Sequence, residues 1–366
     1  MNIKPVSVIL CMVFLFSVFT GCHDTKRHQS GSDIMIGIKV YNIDRDLKSL
    51  FKEWDESGIN TVLASPSVIN DRFTALAKKH DIKTFLILPV FYDPEALKAN
   101  PDLYAITDKG EKAIDDWVEF VCPSREDYRK TKTEEIVQLV KDLDPDGISL
   151  DFIRFFCFWE KVYPDRNPDS IPNTCFCPFC LKKFQSDKNI SIPTSLENVS
   201  DIAKWISGNH LAEWTDWKCR LISGMVSEIV NSVKKVKPGI IVNLHIVPWR
   251  QDDFNNAIRR IVGQDLSALA EYADMISPMT YSHMLKRDPG WIESVVKDIS
   301  GQVNCKVIPS IQVNEAYLTS VLTDEEFEQI LKEALKPSSS GIFFWFWEQL
   351  EARPSKKEIV KKILSN

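Results

Sequence analysis

The sequence predicts an α/β fold, a (β/α)8 barrel, and three observations carry that expectation. Short β-rich apolar runs alternate with helical patterns eight times along the 366 residues, as parallel strands joined by crossover helices do. A barrel needs about 250 residues, so the chain holds one barrel with room for insertions. The segment Asp146-Gly-Ile-Ser-Leu-Asp-Phe-Ile-Arg154 is a short strand ending in an acid. Side chains alternate along a strand, so Ser149 and Asp151 share one face while Ile148, Leu150 and Phe152 share the other. Barrel active sites stand at the C-terminal ends of the strands. An open doubly wound sheet is the alternative arrangement of these elements. No glycine-rich turn after the first run supports a dinucleotide site in it.

The strands are expected at 34–41, 60–65, 82–90, 147–151, 240–247, 275–281, 306–313 and 341–347. Helices are expected between them. In 44–57, Leu47, Leu50, Phe51 and Trp54 recur at helical spacing. Residues 71–80, 126–143, 266–272, 291–299, 324–335 and 356–364 read the same way. Two long connections interrupt the alternation. One follows the third strand and includes 93–125. The other, 155–239, follows the fourth strand and is cysteine-rich, then helical. Both leave C-terminal strand ends, so both are expected to wall the cleft.

The N-terminus reads as an export signal. Lys4 precedes an apolar run at 6–18, and Phe19-Thr-Gly-Cys22 follows. The run is too short to span a bilayer about 30 Å thick. Small residues directly before a cysteine resemble a bacterial lipoprotein signal. That reading gives a signal peptide at 1–21, lipid on Cys22, a polar tether at 22–33 and a barrel at 34–366. Simple secretion with nearby cleavage is the alternative. The expected location is the cell envelope, with the membrane a partner only through the lipid. Net charge is −6 and the cations are scattered, which excludes nucleic acid as a partner.

The expected strand ends bring chemistry to one mouth. Lys39 and Tyr41 come from the first strand, Tyr92 and Asp93 from beyond the third, and Asp151 and Arg154 from the fourth. The fifth supplies Asn243, His245 and then Trp249. The sixth supplies Met279, Tyr281 and then His283. The seventh supplies Gln312, and the eighth Trp345, Trp347 and Glu348. Aromatic faces, amides and cations beside carboxylates suit a carbohydrate substrate, whose hydrolysis uses two carboxyl groups flanking the bond. Asp151 is the first candidate. Glu348, Asp288 and Asp93 compete for the second. Arg154, Asp93, His245, Trp249, Tyr281, His283, Gln312 and Trp347 are the expected sugar-binding groups. The competing assignment for Asp151 is a structural carboxylate paired with Arg154 or Lys39. His245 and Tyr281 could equally be satisfied barrel-lining groups.

The 146–154 segment resembles the Asp-Gly-Ile-His-Leu-Asp-Tyr-Ile-Arg motif of a glycosyl-hydrolase-like family of bacterial barrel lipoproteins. Gly263-Gln-Asp-Leu-Ser-Ala-Leu and Tyr272-Ala-Asp-Met-Ile-Ser-Pro-Met-Thr-Tyr281 are similar to that family's next segment. A weaker resemblance links Met279-Thr-Tyr281 and Gly341-Ile-Phe-Phe-Trp345 to glycoside hydrolase family 18. The fourth strand of that family carries Asp-x-Asp-x-Glu, and Ile153 stands here where its glutamate would be. These resemblances imply glycoside hydrolysis with a fourth-strand aspartate and no catalytic cofactor. The missing glutamate equally suits a carbohydrate-binding protein on a degenerate barrel. A third class, an ester or amide hydrolase, finds no Gly-x-Ser-x-Gly or His-Glu-x-x-His pattern.

Cys175-Phe-Cys-Pro-Phe-Cys180 packs three thiols into six residues. Two thiols two residues apart match half a zinc site. Cys157, in the same connection, is the expected fourth ligand beside Cys175, Cys177 and Cys180. An exported protein could instead use these thiols in disulfides, or leave them free. As a zinc site or as disulfides, the cluster staples a loop.

Overall fold

The computed structural model describes residues 34–364. The expected signal at 1–21, the tether at 22–33 and the lipid site Cys22 lie outside the described residues.

Eight parallel staves form the barrel: β1 (Met35–Val40), β2 (Thr61–Ala64), β3 (Lys83–Pro89), β4 (Gly147–Asp151), β5 (Ile241–Ile246), β6 (Met275–Pro278), β7 and β8 (Gly341–Trp345). β7 comes in two pieces, Lys306–Val307 and Ser310–Gln312. The lower piece pairs with β6 and the upper with β8. A Met279–Ser310 bridge closes the cylinder between them. The break falls at Pro309, which has no N–H to give the ladder, while its carbonyl still accepts from the Phe343 N–H at 2.9 Å.

Alternation sorts the staves into two packings. Ile36, Ile38, Val62, Leu86, Ile148, Leu150, Val242, Leu244 and Ile276 face outward into one continuous core under the helices. Those helices are α1 (Leu47–Glu56), α2 (Asp71–Lys79), α3 (Glu126–Leu143), α4 (Leu211–Val236), α5 (Leu266–Ala270), α6 (Gly290–Ser300), α7 (Asp324–Ala334) and α8 (Pro354–Leu364). Asp46, Asn70, Asp265 and Thr323 cap α1, α2, α5 and α7 by accepting from the third N–H beyond them. Facing inward, Met35, Leu63, Phe85, Met275, Ile308 and Phe343 form a separate cluster at the barrel's lower end. Two glycines make that floor possible. A Cβ on Gly37 would sit 2.3 Å from the Phe343 ring, and one on Gly147 the same distance from the Phe85 ring.

The connection after β3 carries a helix (Pro94–Ala99) and a small hairpin of Ile114–Asp115 with Val118–Glu119. The connection after β4 carries helices Pro178–Lys188 and Val199–Asn209 before the barrel helix α4 begins. The added segment therefore ends near residue 209, earlier than the 239 expected. The two connections are stitched together. The Phe176 N–H donates to the Ile106 carbonyl at 2.8 Å and the Asp108 N–H to the Asn173 carbonyl at 2.9 Å. Buried Lys218 of α4 ties this layer to the loop after β5, donating to Asn173 Oδ1 at 2.6 Å and to the Ile261 carbonyl at 2.6 Å. Burial pulls its ammonium down to about 7.

Candidate active site

Asp151 closes β4 at the open mouth of the barrel, above the inward layers of its own strand. The next residue, Phe152, has φ of 51°, unusual for a bulky side chain and characteristic of functional sites. That turn lets the Phe152 N–H donate to Asp151 Oδ1 at 2.7 Å. It also lays the Phe152 ring on Tyr92, with centroids 4.9 Å apart.

Asp151 lines a cavity of about 510 Å³, within the range of small-molecule sites. Its aromatic walls include Tyr41, Tyr92, Trp117, Trp159, Tyr317 and Trp345. Trp345 stacks on Tyr281 at 4.5 Å, with ring planes 12° apart. At the rim the Trp117 indole N–H donates to the Tyr317 hydroxyl at 2.8 Å, joining the connection after β3 to the loop after β7. The charged lining is Lys39, Asp151, Arg154 and Glu160. Lys39 Nζ donates to the Tyr281 hydroxyl at 3.4 Å. Burial lowers its ammonium to about 8, against the pull of Asp151. Arg154 donates to the carbonyls of Cys157 at 2.8 Å and Phe155 at 3.3 Å, and lies 4.8 Å from the Phe120 ring centre. Burial pushes the Glu160 carboxyl up to about 7. Arg154 opposes that shift and Asp151 adds to it.

Of the expected site residues, Asp151, Arg154 and Tyr281 line this cavity together. The others stand elsewhere, each for a local reason. The chain turns into a short helix at Trp347 (Trp347–Glu351), so strand alternation stops at Trp345. Trp347 is then 2% exposed and meets Trp54 of α1 edge-on at 5.8 Å; Trp345 is the indole that faces the cavity. The same turn takes Glu348 out of the cavity lining. Its Oε1 accepts the backbone N–H groups of Tyr41 at 3.1 Å and Asn42 at 2.8 Å. Trp249 is likewise 2% exposed, packed on Phe254 at 5.5 Å. Asp288 is exposed in the loop leading into α6.

Asp93 caps the helix after β3, accepting from Ala96 N at 3.1 Å, and pairs with Lys132 at 2.6 Å. Burial raises its carboxyl, but Lys132 and the Ala96 N–H outweigh that and hold it below the usual range. His283 Nδ1 lies 3.0 Å from Glu326, and its Nε2 lies 3.0 Å from the Ser320 carbonyl. Gln312 accepts from Met284 N and donates to the Asn314 carbonyl, each at 2.9 Å. His283 and Gln312 therefore hold loops. His245 is buried beneath the cavity, and neither ring nitrogen has a hydrogen-bond partner. Burial and nearby Lys39 lower its imidazole to about 3.

The sequence reading missed Glu160, Trp117 and Tyr317. Trp117 and Glu160 sit in the two long connections and Tyr317 in the loop after β7, where no strand or helix period points at them.

The cysteine cluster also differs from expectation. The Sγ atoms of Cys122, Cys175, Cys177 and Cys180 all lie within 4.8 Å of one another, and all four residues are buried. Cys122 Sγ is 3.3 Å from Cys180 Sγ and 3.6 Å from Cys177 Sγ. Zn–S bonds of about 2.3 Å set tetrahedral sulfur separations of about 3.8 Å, so the four thiols fit a structural zinc ion. Cys157 is not among them. Its carbonyl holds Arg154, and burial pushes its thiol up to about 12. Cys122 takes its place because it ends the connection after β3, which the Ile106–Phe176 bond draws against the cysteine loop.

The chain is thus a closed (β/α)8 barrel with an acid at the end of β4 and an aromatic mouth. No sequence-family model and no curated protein matches the chain. Solved structures do. The glycoside hydrolase domain of PgaB (BpsB) from Bordetella bronchiseptica superposes with a TM-score of 0.66 at 14% identity, covering 90% of this chain and 99% of that one. A β-galactosidase from the psychrophilic Marinomonas ef1 gives 0.65 at 11%, covering 91% of this chain and 59% of that one. The α-L-fucosidase isoenzyme 2 of Paenibacillus thiaminolyticus gives 0.57 at 12%, covering 92% and 49%. This chain thus spans about half to three-fifths of the length of the latter two.

Proposed function

We propose that this chain is a glycoside hydrolase acting on an oligo- or polysaccharide. Asp151 carries the reading. It is a carboxylate at the end of β4, inside an aromatic cavity where a pyranose can lie on an indole or phenol face. Asp151 meets the positive charge that develops at the anomeric carbon, as nucleophile or stabiliser. Lys39 and Arg154 hold hydroxyls or the leaving oxygen. The test is turnover of a panel of aryl glycosides by wild type and Asp151→Asn. Asp151→Asn should lose about 10³-fold or more in kcat/KM while melting like wild type. Equal turnover by the two proteins would overturn the assignment.

One observation favours a second reading. Ile153, at the position of the family-18 glutamate, is fully buried, so no acid reaches the cavity from there. Glycan-array binding by wild type without turnover over long incubation would select a carbohydrate-binding protein instead.

The same proposal includes membership of the barrel lipoprotein family, a lipid on Cys22 holding the protein in the cell envelope, and zinc on Cys122, Cys175, Cys177 and Cys180. Bound there, zinc would cross-link the two connections. The thiols lie outside the cavity and take no part in the chemistry.

A further inference from the structure

The proposed hydrolysis needs a second carboxyl group. The acids expected from sequence are engaged elsewhere: Asp93 with Lys132, Glu348 with the backbone after β1, and Asp288 exposed to solvent. Glu160 differs from all three. It belongs to a one-turn helix, Trp159–Lys161, in the connection after β4. That turn is pinned on both sides. The Trp159 indole packs on Tyr281 at 5.8 Å, and Lys161 pairs with Asp116 at 3.1 Å and lies 4.3 Å from the Phe158 ring centre. Glu160 is held between them, 8% exposed, facing the cavity that Asp151 lines.

Its Oε2 atom is buried and has no hydrogen-bond partner among the described residues. It makes no ion pair with Arg154, although both line the same cavity. A carboxyl oxygen buried without a partner is costly, and more so when the group is ionised. Glu348 Oε2 and Asp108 Oδ1 are also buried without a partner, but neither residue lines this cavity. An acid oxygen held unsatisfied at the cavity itself is a functional candidate.

We infer that Glu160 is the general acid of the cavity, the proton donor to the leaving oxygen, acting with Asp151. This rests on the glycoside hydrolase reading. The proton on Glu160 passes to the glycosidic oxygen as the C1–O bond breaks, and the bonding pair leaves with that oxygen as an alcohol. Asp151 meets the charge at C1. Water then adds its hydroxyl to C1, and its remaining proton returns to Glu160. Burial keeps Glu160 protonated up to about neutral pH, as an acid working there requires.

Leaving-group dependence tests the assignment. A dinitrophenolate departs without a proton, whereas a phenolate needs one. With Glu160→Gln, kcat/KM on phenyl glycosides should fall by about 10³-fold while dinitrophenyl glycosides change by less than about tenfold. The alkaline limb of the pH profile on phenyl glycosides should disappear. Asp151→Asn should lose both substrate classes, and Asp288→Asn neither. An infrared titration of wild type minus Glu160→Gln gives a readout independent of turnover. It should show one buried protonated carboxyl that ionises near neutral pH. If wild type is active and folded Glu160→Gln retains phenyl glycosides, or loses both classes equally, or if no such carboxyl titrates, Glu160 is not the acid and the hydrolase reading stands. If wild type cleaves no glycoside in the panel, both readings fall together.

Discussion

Two layers of buried polar groups lie one strand step apart inside the barrel, and they differ in their hydrogen bonding. In the lower layer Asn243 Nδ2 donates to Ser149 Oγ and Ser277 Oγ donates to Asn243 Oδ1, each at 2.8 Å. In the upper layer neither nitrogen of His245 has a partner, nor does Arg154 Nε or Glu160 Oε2. Burial is alike in the two, but the lower layer is neutral amide and hydroxyl while the upper is ionisable. Hydrogen-bond accounting separates them. A satisfied network specifies architecture, while an unsatisfied one is kept at a cost in stability and points to chemistry.

That contrast can be broken by substitution. The largest effect lies in the third polar cluster, the thiols. Cys122→Ser should cost about 4 kcal/mol and abolish stoichiometric zinc, while Cys157→Ser should cost about 1 kcal/mol and leave zinc unchanged. Elemental analysis and urea denaturation of the two variants check this, and equal zinc in both would refute the ligand set. In the lower layer, Asn243→Leu strands two buried hydroxyls and should cost about 3 kcal/mol in urea denaturation.

In the upper layer the sign reverses. His245→Phe removes two unsatisfied nitrogens and should stabilise by about 1 kcal/mol at neutral pH. It should also remove an acid sensitivity. The folded imidazole titrates at about 3 and the unfolded one at about 6.5. Between those values the unfolded chain binds more protons, so wild-type stability falls as pH drops through that window. The variant's stability curve should lack that slope. The smallest effect is at the rim. Trp117→Phe removes the bond to Tyr317, worth about 1 kcal/mol, and should raise KM about fivefold with little change in kcat.

The sequence made legible what has a period. Eight staves, their helices and the inward face of β4 all follow from alternation or helical spacing, and Asp151 comes with them. Trp347 shows where that logic stops, since alternation continued past Trp345 assigns the wrong indole once the chain turns helical. Glu160 lies in an irregular connection, where no period says which way a side chain faces. Cys122 stands fifty-five residues before Cys177 and reaches it only through the docking of two insertions. The Pro309 break in β7 was present in the sequence as a proline, but its effect on pairing depends on which neighbour each half meets.

The phenylalanine floor has a consequence for traffic. Gly37 and Gly147 give up side chains so that Phe343 and Phe85 can fill the lower end of the barrel. The molecule is therefore a cup rather than a pipe. Whatever enters past Trp117 and Tyr317 must leave by the same rim, so arrival and departure share one doorway and cannot overlap in time.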